Sequence, residues 1–225
     1  MPQEILFKKC NIPNIITIIM KRIILSTILV CCTLSLAAQE TIRVNYKGAK
    51  PTISDFATAF LSAYDWNENS DDVLDEARNA MKQVWLAHLR GEKLSKNDKL
   101  TVDQKNGYIC YEYQSEDHLS MKEMCYWNES DGKHKLFAYN VRCFFNGTYS
   151  PGQFDGLTFY RYDNATKKMT ECAPPGFEQV FGTDDGAHVT YALPRTGKDI
   201  IYTEWHPSGK KKQKTLKWNG RKFSF

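Results

Sequence analysis

"AHLRGEKLSKNDKLTVDQKNGYICYEYQ", residues 87–114, is where the chain changes period. Before it, apolar residues recur every three to four positions. After it they alternate with polar ones, and the alternation runs to the C-terminus. A 3.6-residue period marks an amphipathic helix and a two-residue period marks a strand. One switch that is never reversed predicts helices first and strands afterwards.

Upstream, PTISDFATAFLSAY (51–64) has Thr52 and Asp55 at capping-box spacing and Ile53, Phe56, Ala57, Phe60, Leu61 and Tyr64 along one helical face. A second helix is expected from near Asn69 or Ser70. Asp71, Asp72, Asp75 and Glu76 crowd its first turn, where the helix dipole favours acids, and Gly91 closes it. TIRVNY (41–46) reads as a short strand ahead of both. Downstream, GYICYEYQ, LSMKEMCYW, HKLFAYNVRCFF, GLTFYRY, TKKMTEC, HVTYAL, DIIYTEW, KQKTLKW and RKFSF are strands. Turn signals such as Asp131-Gly132, Asn146-Gly147 and Asn219-Gly220 separate them. Connections this short join antiparallel neighbours. The expected class is α+β: two N-terminal helices followed by a long antiparallel β-meander forming a curved sheet, after a cleaved signal peptide.

That signal peptide is MKRIILSTILVCCTLSLAAQE (20–40). Lys21 and Arg22 precede an apolar run from Ile23 to Leu36, and Ser35-Leu36-Ala37 suits cleavage after Ala37 or Ala38. The run is shorter than the roughly 20 apolar residues a spanning helix needs. Residues 1–38 are therefore assigned to the leader, with the true start at Met20, and 39–225 to a single domain with a sub-boundary near 173–187. The expected location is the periplasm, cell surface or exterior, with no membrane span once the leader is removed.

The chain carries 30 basic and 26 acidic residues, but four of the bases (Lys8, Lys9, Lys21, Arg22) and only one acid (Glu4) lie within residues 1–37. The rest is close to neutral, which argues against nucleic acid as a partner. Lysines instead concentrate near the C-terminus, at Lys210, Lys211, Lys212, Lys214 and Lys217. They suit either a solvated face or contact with an anionic partner.

Past the leader remain Cys110, Cys125, Cys143 and Cys172, with no zinc-type spacing. If Cys110 faces Cys125 across the hairpin 107–127, the two can form a disulfide, and Glu112 then faces Glu123. Opposed carboxylates are unfavourable unless a proton or cation is shared, and such pairs also serve glycoside hydrolysis. A register two residues different would separate them. Glu112 and Glu123 are thus the catalytic candidates, weighed against ordinary solvated acids. Asp184, Asp185 and His188 in GTDDGAH are candidate metal ligands, weighed against a plain turn. Tyr111, Tyr113, Tyr126, Tyr160, Trp205 and His206 are candidate ligand-binding residues on the sheet, weighed against core packing. No nucleotide, zinc-protease or serine-hydrolase motif is present, and no cofactor is implied.

The leader ending LAAQE, the turn FYRYDNATKKM and the ending LPRTGKDIIYTEWHPSGKKKQKTLKWNGRKF resemble exported proteins of unknown function from Bacteroidota. That resemblance implies export and no particular activity. Helices followed by a curved sheet also resemble the NTF2-like and cystatin-like architectures, an analogy of fold alone. The functional expectation is an exported soluble binding or interaction domain for a glycan, a peptide or an envelope protein. The alternatives are a hydrolase with scattered carboxylates and a structural envelope component.

Overall fold

The computed structural model describes residues 41–63, 73–151 and 155–225. The leader, and the start of the second helix near Asn69, lie outside the described residues. In chain order the elements are β1 (Thr41–Arg43), α1 (Ile53–Ala63), α2 (Val73–Leu89), β2 (Asp98–Asp103), β3 (Tyr108–Ser115), β4 (His118–Asn128), β5 (His134–Phe145), β6 (Thr148–Tyr149), β7 (Gly156–Asp163), β8 (Lys168–Cys172), β9 (His188–Ala192), β10 (Ile200–Trp205), β11 (Lys211–Trp218) and β12 (Phe223–Ser224).

Both helices start or stop where local chemistry dictates. Thr52 N–H donates to Asp55 Oδ2 at 2.7 Å, and Asp55 N–H returns a bond to Thr52 Oγ1 at 3.4 Å. This reciprocal capping box satisfies two N–H groups that have no partner inside the helix. α1 then buries Ile53, Phe56, Ala57, Phe60 and Leu61. α2 ends in a Schellman arrangement: Glu92 N–H donates to Ala87 O and Gly91 N–H to His88 O, with Gly91 at φ +71°. Trp85 Nε1–H donates to Thr58 Oγ1 at 3.0 Å and ties the helices together.

Two antiparallel sheets form. One holds eight strands in the order β1-β8-β7-β5-β4-β3-β2, with β6 paired to β5; the other runs β12-β11-β10-β9. Successive residues of β5 serve different layers. Phe137, Tyr139 and Val141 pack under the helices with Phe56, Phe60 and Trp85. Leu136 and Ala138 pack with Val189, Tyr191, Ile200, Leu216 and Trp218 of the second sheet. The large sheet is therefore the middle of three layers, and it is apolar on both faces.

This arrangement corrects the expected fold class. Helices and antiparallel sheets are both present, but the chain is mostly sheet, and the helices sit mid-chain between residues 53 and 89 rather than heading one meander. β1 precedes the helices and closes an edge of the large sheet against β8. The last four strands leave the meander because the second apolar face of the large sheet needs a cover that two helices on the opposite side cannot supply. Segment 173–187 carries the chain between sheets. Phe177 inserts into the inter-sheet layer, and Pro175 O accepts from Phe223 N–H.

The Cys110–Cys125 disulfide is corrected as well. Cys110 faces Glu123, and Cys125 faces Tyr108, a register two residues away from the one that would join them. The cysteines are diagonal neighbours, about 7 Å apart between Cα atoms in such a ladder, beyond ordinary bridging distance. All four described cysteines are free thiols. In the same register Glu112 faces Met121, not Glu123, so no opposed carboxylate pair forms.

Candidate functional site

Turns that are distant in sequence meet at one end of the sandwich. The β4–β5 turn (129–133), the β7–β8 turn (164–167) and the β11–β12 turn (219–222) are stitched by backbone and side chain. Ser130 N–H donates to Gly220 O at 2.9 Å, Asn164 N–H to Lys133 O at 3.0 Å, and Arg221 Nε–H to Ser130 Oγ at 2.9 Å. Beside them opens a cavity of about 550 Å3, lined by Glu129, Asp131, Leu136, Arg161 and Cys172 from the large sheet and its β4–β5 turn, by Pro174 and Pro175 of the crossing segment, and by Trp218 and Arg221 from the second sheet. That volume lies in the usual range for small-molecule sites.

The charged wall is internally paired. Arg161 forks onto Glu129, Nε to Oε1 at 2.8 Å and Nη2 to Oε2 at 2.7 Å, and Nη2 also lies 3.4 Å from Asp131 Oδ2. Asp131 Oδ1 accepts the N–H groups of Lys133 and His134 at 2.8 and 3.0 Å, while Oδ2 lies 2.5 Å from His134 Nδ1. The His134 ring, helped by those turn N–H groups, holds the Asp131 carboxyl down at about 2. Glu129, Asp131 and His134 have ligand atoms within 4.8 Å of one another, a spacing a metal could use. The Arg161 guanidinium already occupies those oxygens, so a metal would have to displace it, and we read the cluster as an ion-pair network. Burial pushes the Cys172 thiol up to about 11, leaving it protonated at neutral pH and unsuited to nucleophilic attack.

The second sheet contributes Trp218 and, from its last turn, Gly220 and Arg221. Trp218 is 6% exposed, and its indole Nε1–H has no partner among the described residues. A buried donor left unpaired costs on the order of 1–3 kcal/mol, so such groups are rare without a reason. Arg221 uses Nε–H on Ser130, and no carboxylate pairs with it among the described residues.

The residues singled out from the sequence fall elsewhere. Tyr111 and Tyr160 are buried under the helices, and Tyr126 is half-buried against Phe56 with ring centroids 5.2 Å apart. Only Tyr113 of the sheet tyrosines is open, at 36% exposure. Tyr111 O–H donates to Asp98 Oδ1 at 2.7 Å. Glu123 is buried and accepts from Tyr108 O–H (2.9 Å), Asn140 Nδ2 (2.9 Å) and Arg142 Nε (3.1 Å), while Glu112 pairs with Lys99 at 2.7 Å. Both are spent on structure.

Trp205, His206, Asp185 and His188 do come together, around the β9–β10 ladder where His188 faces Trp205. His206 Nδ1 lies 3.5 Å from Asp185 Oδ2, and Trp205 Nε1–H donates to Thr190 Oγ1 at 2.9 Å. Lys211 Nζ covers the Trp205 ring at 4.2 Å, with Phe144 and Tyr149 on its flanks. The ring is therefore already occupied. Asp184 is exposed, and Asp184, Asp185 and His188 do not converge at metal spacing among the described residues. The lysine run lies on β11, which β12 pairs only at Lys217 and Trp218, so its first part is a sheet edge. Lys212 and Lys214 neutralise the buried Glu204, and lysines on an edge discourage pairing with another chain.

The cavity residues Glu129, Asp131, Arg161, Cys172, Trp218 and Arg221, and His134 beside them, were not singled out by motif. One sequence signal does bear on them: in a meander, every second turn falls at the same end, which groups the turn after β4 with the turn after β7. No family model, curated protein or solved structure matches the chain. The reading of function rests on its own geometry.

Proposed function

We propose that this chain is an exported binding domain and that its ligand is a small organic molecule held in the cavity between the turn cluster and the second sheet. The observation that carries the reading is the 550 Å3 cavity itself, in which the paired charges of Glu129, Asp131 and Arg161 adjoin the apolar surface of Leu136, Pro174, Pro175 and Trp218. The export half rests on the leader pattern, Lys21 and Arg22 before the apolar run and small residues at Ser35 and Ala37. Binding is favoured over hydrolysis because Glu112 and Glu123 are tied up in ion pairs, the Cys172 thiol is held protonated, and the cavity acids Glu129 and Asp131 are both paired with Arg161.

Indole N–H resonances report this directly. In a 1H–15N spectrum the Trp218 peak is assigned by its loss in Trp218→Phe, and a fragment library of small acids, amides, sugars and aromatic compounds is titrated. The expected result is that a subset of fragments shifts the Trp218 indole peak together with the Arg161 Nε peak. A library that moves neither, or that moves only the Trp205 peak, overturns the assignment.

A further inference from the structure

We propose that the open edge of β11 receives an extended acidic segment of a partner protein as an added strand, a reading independent of the cavity. β11 pairs with β10 from Lys211 to Leu216, whereas β12 covers its other side only at Lys217 and Trp218. Hydrogen bonds at the two ends fix which residues face outward. Lys210 O accepts from His206 N–H at 2.9 Å and Trp218 N–H donates to Asp199 Oδ1 at 3.1 Å, both on the β10 side. Asn219 N–H donates to Lys222 O at 3.3 Å, on the β12 side. Each residue of an antiparallel ladder turns its N–H and its C=O to the same side, and successive residues alternate. Lys211, Gln213 and Thr215 therefore turn three N–H and three C=O groups to the open edge, and all three residues are exposed.

Charge selects the strand that adds there. Lys210, Lys211, Lys212 and Lys214 line this edge. The carboxylate that pairs with them among the described residues is the buried Glu204, 3.4 Å from Lys212 Nζ and 2.8 Å from Lys214 Nζ. Four cations against one carboxylate leave three positive charges, and the Trp205 ring under Lys211 does not neutralise its ammonium. A second copy of this strand is disfavoured. Antiparallel pairing about Gln213 would set Lys212 opposite Lys214, and like charges directly opposite destabilise a ladder. A strand with carboxylates at alternate positions meets the same lysines favourably. An anionic glycan or lipid would meet the lysines but leave the outward N–H and C=O groups to water, whereas a peptide backbone complements them at strand spacing.

The test is calorimetry and a 1H–15N spectrum on the whole chain. The probes are an end-blocked heptapeptide with glutamate at its second, fourth and sixth positions and threonine or valine between them, its glutamine counterpart, and the acidic peptide fully N-methylated. Wild type is expected to bind the acidic peptide about tenfold more tightly than the glutamine one, as three cross-strand charge pairs together provide. The backbone amide peaks of Lys211, Gln213 and Thr215 should shift most. Lys210→Glu combined with Lys211→Glu leaves two lysines against three carboxylates and should abolish the preference. Both side chains are exposed, so the variant keeps its fold, and its melting temperature verifies this. Equal affinity for the glutamine peptide, a preference that survives the double variant, shifts centred away from β11, or neither heat nor shift from the acidic peptide overturns the proposal. Equal affinity for the N-methylated peptide also overturns it, since the edge would then recognise anions of any class by charge alone.

Discussion

Replacing Arg142 by Met should unsettle the contact between the sheets, and the size of the effect can be worked out. Glu123 is 2% exposed, and its Oε2 receives Arg142 at 3.0 Å and Asn140 Nδ2 at 2.9 Å. The same Asn140 amide donates to Tyr191 O at 2.7 Å, so the pair anchors the group that fastens the second sheet to the first. Removing one partner of a buried ion pair costs about 3–5 kcal/mol. Two neutral donors remain on the carboxylate, which sets the expectation at the lower end, about 3 kcal/mol. A ceiling arises independently. The stranded carboxylate can escape by taking a proton, and at pH 7 protonating an ordinary glutamate costs about 3.7 kcal/mol. The two figures agree.

Urea unfolding measures this loss. With a slope of about 2 kcal/mol per molar, the midpoint should fall by about 1.5 M. Glu123→Gln combined with Arg142→Met should recover about half of the loss, since a neutral amide can still meet Tyr108 and Asn140. A midpoint shift below about 0.5 M would refute the claim that Glu123 depends on Arg142.

Three further outcomes follow from the same geometry. Gly176→Ala should destabilise by about 3 kcal/mol or more, because φ is +75° and a Cβ would lie 2.1 Å from Phe223 O. Gly132→Ala, at φ +68° with nothing within 4 Å, should cost only about 1 kcal/mol, and equal melting temperatures for the two would contradict the crossover packing. Asp131 has a folded-state pKa below its unfolded one, so its contribution is full above about pH 4 and is lost as pH falls through about 2. Asp131→Asn should therefore lower the melting temperature modestly at pH 6 and hardly at all at pH 2. Intact mass of protein from native cells should correspond to a cut after Ala37 or Ala38, with four thiols alkylated without reductant, the buried Cys110, Cys125 and Cys143 only after unfolding. A full-length mass, or fewer than four thiols without reductant, would contradict export or the free cysteines in turn.

How much of this could be read in the residues depends on how local the cause is. α1 was legible because Thr52 and Asp55 cap it and its apolar face repeats at helical spacing. The end of α2 was legible because Gly91 can adopt a positive φ cheaply. The β3–β4 register was not. Its two-residue turn is Glu116–Asp117, with Glu116 at φ +39° where such turns favour glycine or asparagine, so no turn signal marked the centre and Cys110 was placed opposite the wrong residue.

The second sheet hid for a different reason. A period of two marks a strand without saying whether one of its faces is covered or both. Yet Leu136, Phe137, Ala138 and Tyr139 are consecutive and all buried. An uninterrupted apolar run inside an alternating meander means that both faces are covered. Two short helices cover one, so a further layer had to come from later in the chain. The cavity is a consequence of that layer. Glu129 and Arg161 reach the end of the large sheet through alternate turns, but Trp218 and Arg221 arrive only because β11 and β12 lie across that sheet's other face. A site made of one sheet's turns and another sheet's wall leaves no spacing motif, and its visible trace in the sequence is the doubly apolar strand that demanded the wall.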